Sequence, residues 1–127
     1  MAALPAPRRF TVSKEGVIAD SKTGLEWLVG PDADTNFAKA ETWVKNCTVA
    51  GGNWRMPTKA ELATVHEKGS GPRNMPPVFR TQGWWAWSAD KMGSSASWYF
   101  DFQTGADRWY YRILSRGGRA FAVRSGK

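Results

Sequence analysis

The apolar positions of the chain change period several times, and each change marks an expected element. Phe10 and Val12, then Val17 and Ile18, form two short runs on either side of Ser13-Lys14-Glu15-Gly16, so the chain is expected to open on a β-hairpin. Asp20-Ser21-Lys22-Thr23-Gly24 reads as a second turn, in which the Asp and Ser side chains bond local backbone and Gly24 is free to take a positive φ. Leu25 to Leu28 resumes a strand. Beyond Gly30-Pro31, the residues Phe37, Ala40, Trp43, Val44 and Cys47 recur at helical spacing behind Asp34, Thr35 and Asn36, any of which can cap the helix. Thr58-Lys59-Ala60-Glu61 has the form of a capping box, and Leu62 with Val65 gives the shorter helix after it an apolar face.

Residues 67–83 carry Gly69, Gly71, Pro72, Pro76, Pro77 and Gly83 with little periodicity and read as a long surface loop. Trp85 to Ser88 reads as a strand, followed by a Gly/Ser loop at 92–95. Strict alternation then sets in: Ala96, Trp98, Phe100 and Phe102 share one face, and Ser97, Tyr99 and Asp101 share the other. After a turn at 103–107, the strand expected from Arg108 to Leu114 places Trp109, Tyr111 and Ile113 on one face and Arg108, Tyr110 and Arg112 on the other. With the larger apolar set turned to the core, the basic and aromatic set faces outward. A turn at 115–118 leads to a last strand from Arg119 to Arg124. The pattern predicts an α+β fold in one domain over residues 10–124, with short tails at 1–9 and 125–127. There is no internal repeat, low-complexity tract or linker.

Composition sharpens this reading. A chain of 127 residues with 42% hydrophobic and 13% aromatic content can bury a core without disulfides or a structural metal. Its eight tryptophans are expected first as core filling, with the remainder presented to a ligand. Residues 1–67 hold eight Lys/Arg against eight Asp/Glu, and residues 68–127 hold ten against three, so the whole formal charge of +7 lies in the second half. That asymmetry points to a polyanionic partner: a sulfated or uronic polysaccharide, nucleic acid or an anionic membrane surface. The plain alternative is a basic surface that keeps the chain soluble.

The candidate ligand residues are Arg108, Tyr110, Arg112, Arg116 and Arg119, with Trp84 and Tyr99 as further stacking surfaces. Their guanidinium forks suit sulfate or phosphate groups. The competing reading pairs one or more of these arginines with Asp101 or Asp107 across the hairpin. Exposed ion pairs contribute about 0–1 kcal/mol, so replacing Arg108, Arg112 and Arg116 by Ala is expected to leave the melting temperature nearly unchanged.

Catalytic chemistry finds no support. Cys47 is the single cysteine, which excludes an intrachain disulfide and reads as a small buried hydrophobe. His66 is the single histidine, expected at the end of the short helix against its last carbonyls. There is no Gly-x-Ser-x-Gly elbow, and Asp101 and Asp107 flank a turn of the kind common without catalysis. No metal and no cofactor is expected. No apolar run approaches the roughly 18 residues of a membrane span, and Met1 to Pro7 is too short for a secretory signal. The chain therefore either stays inside the cell or has its signal outside this sequence.

Four local patterns resemble one family: Ile18 to Trp27 (IADSKTGLEW), Gly51 to Leu62 (GGNWRMPTKAEL), Trp85 to Ser88 (WAWS) and Arg119 to Arg124 (RAFAVR). Together they are similar to the C-terminal domain of Legionella collagen-like adhesins and its bacterial relatives, over about residues 10–124. The second pattern is the most specific. The resemblance implies a C-type-lectin-like fold related to the formylglycine-generating enzymes, with a small twisted antiparallel sheet flanked by two helices and long surface loops. It implies an extracellular or cell-surface binding domain, a homo-oligomer of trimeric type, and sulfated glycosaminoglycan as ligand. Trp54, Arg55 and Pro57 then read as scaffold, with Trp54 and Pro57 fixing the chain into the second helix and Arg55 pairing with a carboxylate or backbone carbonyls. The calcium-lectin strings Glu-Pro-Asn, Gln-Pro-Asp and Trp-Asn-Asp are absent, and one cysteine cannot reproduce the cysteine pair of the formylglycine-generating enzymes. The expectation is a non-catalytic domain binding an anionic polysaccharide. A protein-recognition module for a receptor is the alternative, and nucleic-acid binding a weaker third.

Overall fold

The computed structural model describes residues 8–126. Of the expected tails at 1–9 and 125–127, residues 1–7 and 127 lie outside the described residues. The chain runs β1 (Phe10–Val12), β2 (Ile18–Asp20), β3 (Leu25–Val29), α1 (Phe37–Lys45), a 3-10 turn (Val49–Gly51), α2 (Lys59–Ala63), β4 (Trp85–Met92), β5 (Ala96–Asp101), β6 (Ala106–Tyr111), β7 (Gly118–Arg119) and β8 (Phe121–Ser125). This is an α+β fold. The strands form two four-stranded sheets, ordered β1-β2-β3-β8 and β6-β5-β4-β7. The single small antiparallel sheet expected from the sequence is therefore corrected to two. All pairs are antiparallel except β4 with β7.

Local sequence accounts for the elements. The β1–β2 turn closes with the Gly16 amide donating to the Ser13 carbonyl at 3.0 Å. In the next turn the Asp20 carboxylate accepts from the Lys22 amide at 2.9 Å and the Thr23 hydroxyl at 2.8 Å, and Gly24 takes φ 76°. Asn36 caps α1 by accepting from the Lys39 amide at 2.9 Å. Thr58 and Glu61 form the reciprocal capping box of α2, at 3.1 and 2.9 Å. Arg55 places both guanidinium ends on the Glu61 carboxylate at 2.7 and 2.6 Å, while Trp54 is buried and donates to the Val49 carbonyl at 2.8 Å.

Strand β4 runs four residues past the expected stretch. A bulge between Trp87 and Lys91 turns its far end toward α2, where the Asp90 carboxylate accepts from the Lys59 amide at 2.8 Å and the Ala89 amide donates to the Pro57 carbonyl at 2.7 Å. The expected last strand is broken in two at Ala120, where pairing passes from β4 (Ala86 with Arg119) to β3 (Val29 with Phe121) and the Ala120 carbonyl accepts from the Gly30 amide at 2.8 Å. The residues flanking 10–124 are also engaged, since Arg9 bonds the Asp20 carboxylate twice at 2.8 Å and Ser125 pairs with Leu25.

Strand alternation divides the core into two clusters. Trp85 and Trp87 join Phe37, Ala40 and Val44 of α1 in one cluster, with Tyr99 packed against it. Ala86, Phe100, Trp27, Phe121 and Val123 join Leu62 and Val65, from α2 and the turn after it, in the other. The two helices thus cover opposite faces of the β-structure, and the long loop at 67–83 adds Met75 and Phe79 to the α2 side. This fixes what happens at β6. The strand lies at the edge of its sheet, where the five-residue α2 reaches it through the Lys59 ammonium, 3.3 Å from the Asp107 carboxylate, but does not cover Trp109 or Tyr111.

Candidate functional site

Strand β6 is exposed from Asp107 to Tyr111 on both faces. Trp109 is 44% exposed, Tyr111 54% and Ile113 83%. The expectation that these three turn to the core is therefore corrected. Alternation identified which residues share a face, but no second layer covers that face at the edge. Trp98, opposite Trp109 on β5, is half-buried because the Lys59 ammonium at the start of α2 lies 4.0 Å over its ring.

The other face of β6 holds the residues first singled out. Tyr110 stands 5.9 Å from Tyr99 and 5.8 Å from Trp85, and Tyr99 lies 4.4 Å from Trp85, all between ring centroids. These three rings form one aromatic cluster, exposed at Tyr110 and buried at Trp85, that continues into the buried Trp87. Arg108 is the cross-strand partner of Tyr99, and its side chain is half exposed with Nε 3.3 Å from the Asp101 carboxylate. Burial, reinforced by Asp101, pushes the Tyr99 phenol above its ordinary value, which keeps it a neutral donor near neutral pH. Arg116 is exposed and is tied in through its backbone, whose carbonyl accepts from Trp85 Nε1 at 3.1 Å.

The remaining candidates lie apart from this surface or are committed to the scaffold. Arg119 is buried, with Nε 2.9 Å from Asp32 and Nη1 3.2 Å from Asp34. Arg112 donates to the Gly93 carbonyl at 2.8 Å, the Ser97 hydroxyl at 2.9 Å and the Ala96 carbonyl at 3.1 Å, and its guanidinium lies 5.0 Å over the Phe37 ring. Its expected outward projection is corrected: the fork turns back over the loop between β4 and β5 and onto α1. Trp84 is half-buried against the α1-side cluster and carries the Arg73 guanidinium at 4.4 Å.

The structure thus brings together Arg108, Tyr110 and Tyr99, with the backbone of Arg116 held against Trp85. Sequence reasoning missed Trp85 as the buried centre of this cluster, although its odd-numbered register with Trp87 placed it on the same side of the sheet as Tyr99. It named Asp101 only as a competitor for arginine. His66 also departs from expectation, since its ring packs between Phe100 and Phe102 at 5.7 and 6.4 Å, and its buried Nε2 has no partner.

Among the described residues no group of three or more His, Cys, Asp or Glu side chains is placed to hold a metal ion. No described helix is long and apolar enough to cross a membrane. The site is a surface, not a cleft. An open groove of about 610 Å³ lies elsewhere, between the β1–β2 turn and residues 77–80, lined mainly by Val12, Ile18, Leu28 and Val29. A family model described as the Lcl C-terminal domain matches residues 16–124. No curated protein matches the chain significantly.

Proposed function

We propose, from the premise that this chain belongs to the Lcl C-terminal domain family, that it is a non-catalytic, adhesin-like binding domain of C-type-lectin-like type. It works at the cell surface and holds a sulfated or uronic polysaccharide. The observation that carries the reading is the cluster in which Tyr99 and the exposed Tyr110 pack, tilted and edge-on, over the buried Trp85, with the half-exposed Arg108 on the same face and the backbone of the exposed Arg116 held against Trp85. Rings of this kind offer an apolar face to the C–H side of a sugar. The neighbouring forks supply charge-assisted hydrogen bonds to sulfate or carboxylate groups. Asp101 steadies Arg108 from one side and leaves the rest of its fork to solvent.

The test is a heparin column and a binding isotherm at several salt concentrations for wild type, Arg108→Ala with Arg116→Ala, and Tyr110→Ala. The double variant is expected to elute at lower salt, with a slope of log affinity against log salt shallower by up to about two released counterions. Tyr110→Ala is expected to lower affinity with the slope unchanged, because stacking releases no ions. Superimposable curves for all three proteins would remove this surface as the site.

A further inference from the structure

We propose that the face of the β4–β5–β6 sheet opposite the Arg108–Tyr110 surface docks the molecule on an anionic lipid bilayer, at the level of its headgroups. Among the described residues the exposed large apolar side chains are concentrated in one place: Val12 apart, all lie between positions 92 and 113. Strand pairing sorts them by face. Met92, Ala96 and Tyr111 oppose one another across the three strands, and Trp98 opposes Trp109 two residues along, so these five share one face. Tyr110 belongs to the other. Ile113 follows just past the strand end and is the most exposed of the set.

A soluble domain rarely leaves large apolar side chains gathered in the open without a use for them. The make-up of this patch suits the boundary between headgroups and acyl chains. Trp and Tyr pair an apolar ring with a polar tip and settle where an apolar layer meets water. Trp109 and Tyr111 stand edge to face at 5.6 Å between centroids. Met92 and Ile113 add aliphatic side chains that can reach the acyl boundary, a role that a sugar stacked on the rings would not give them. At the border of the patch the Lys59 ammonium lies 4.0 Å over the Trp98 ring and 3.3 Å from the Asp107 carboxylate. These charges are already paired, so less is lost when water withdraws from the patch.

Charge selects the kind of bilayer. The formal charge of +7 comes entirely from residues 68–127, the half of the chain that carries the patch. An anionic headgroup layer attracts such a molecule before contact is made, and the apolar side chains then hold it. The polysaccharide surface lies on the other face of the sheet, so one molecule can hold a polysaccharide and rest on a bilayer together. The bilayer contact does not depend on what the Arg108–Tyr110 surface binds.

The test is flotation of the whole chain with vesicles of phosphatidylcholine, alone or mixed with phosphatidylglycerol, for wild type, Ile113→Ser, Trp109→Phe and Arg108→Ala with Arg116→Ala. Wild type is expected to float with the phosphatidylglycerol vesicles, and less so as salt screens the attraction. Ile113→Ser is expected to melt and to bind heparin as wild type does, but to bind these vesicles about tenfold more weakly, having lost one aliphatic side chain from the contact. With bromine on the acyl chains, wild-type tryptophan emission is expected to be quenched, and that of Trp109→Phe much less. Wild type that stays off the phosphatidylglycerol vesicles overturns the proposal, and so does Ile113→Ser that binds them as wild type does. Vesicle binding lost in the double arginine variant but kept in Ile113→Ser would make the bilayer one more polyanion on the Arg108 surface, and overturns it too. Wild type that ignores vesicles and whose sedimentation Ile113→Ser alters would assign the face to contacts between copies instead.

Discussion

Arg119 is buried beneath the loop that leads into α1, and its Nε donates to the Asp32 carboxylate at 2.9 Å across a separation of 87 residues. The same carboxylate oxygen accepts from the Gln82 amide and the Thr81 hydroxyl, while Asp34 accepts from the Gly117 amide and Arg119 Nη1. Two loops far apart in sequence are thereby fastened to β7 through one guanidinium. The stem of Arg119 also lies so close to Gly83 that a side chain there would collide with its Cγ.

Arg119→Ala is therefore expected to weaken the fold and not the ligand surface. Both carboxylates reach solvent, so the loss is smaller than the 3–5 kcal/mol of a fully buried pair and on the order of 2 kcal/mol. Thermal melts of Arg119→Ala and Arg116→Ala provide the check, with a clear drop for the first and almost none for the second. Equal melting temperatures would return Arg119 to the surface set.

Acid is expected to unfold the protein through four carboxylates. The Gln82 amide, then Arg119, hold Asp32 below the ordinary range, and the Gly117 amide, then Arg119, do the same for Asp34. Arg55 lowers Glu61 against the opposing effect of burial. Burial by itself would raise Asp20, but hydrogen bonds from Arg9, Thr23 and the Lys22 amide outweigh it and leave the group lowered. A carboxylate depressed in the folded state adds stability that is present above its unfolded value of about 4 and is lost as pH falls through the folded value. The melting temperature should stay level between about pH 7 and 5 and fall below about 4. Asp20→Asn should start lower and fall less steeply in acid, and an acid limb parallel to that of wild type would count against this assignment.

The parts of this fold that were legible in the sequence are those that neighbouring residues decide. The Asn36 cap, the Thr58–Glu61 box and the Asp20 turn each depend on atoms within a few positions of one another. Strand pairing does not: β8 joins β3 across nearly the whole chain, and β7 joins β4 in parallel, so one expected sheet became two. The site shows the same division. Alternation grouped Tyr110 with Arg108 and Arg112, yet which face was covered depended on how far α2 extends over the sheet. The partners that withdrew Arg119 and Arg112 from the surface lie on loops whose positions no local pattern encodes.

Stability is expected to be independent of chelator and reductant. Cys47 is the single cysteine, and the described core rests on stacked Trp and Phe side chains such as Trp27, Phe79 and Phe121. Melts in buffer alone, with a chelator and with a thiol reductant should coincide. A substantial drop with chelator would reveal a cation contributing to the native state.

Arg112 separates a scaffold arginine from a ligand arginine most directly, because the sequence placed it among the ligand residues and the structure gives its fork three acceptors. The Ser97 hydroxyl beneath it is fully buried, and the Gly93 and Ala96 carbonyls bracket the turn between β4 and β5. Its own carbonyl accepts from the Phe37 amide at 3.1 Å, so the residue joins that turn to the start of α1. Alanine would strand these acceptors and uncover the Phe37 ring, at a cost of about 1–3 kcal/mol. The triple replacement of Arg108, Arg112 and Arg116 is accordingly expected to lower the melting temperature, while the pair without Arg112 is not. Arg112→Lys should fall between, since a single ammonium cannot reproduce a planar fork. Measured well below the melting temperature, Arg112→Ala should bind heparin nearly as wild type does, because its guanidinium is already committed within the chain. An unchanged melt together with weakened heparin binding would show that Arg112 faces the ligand after all.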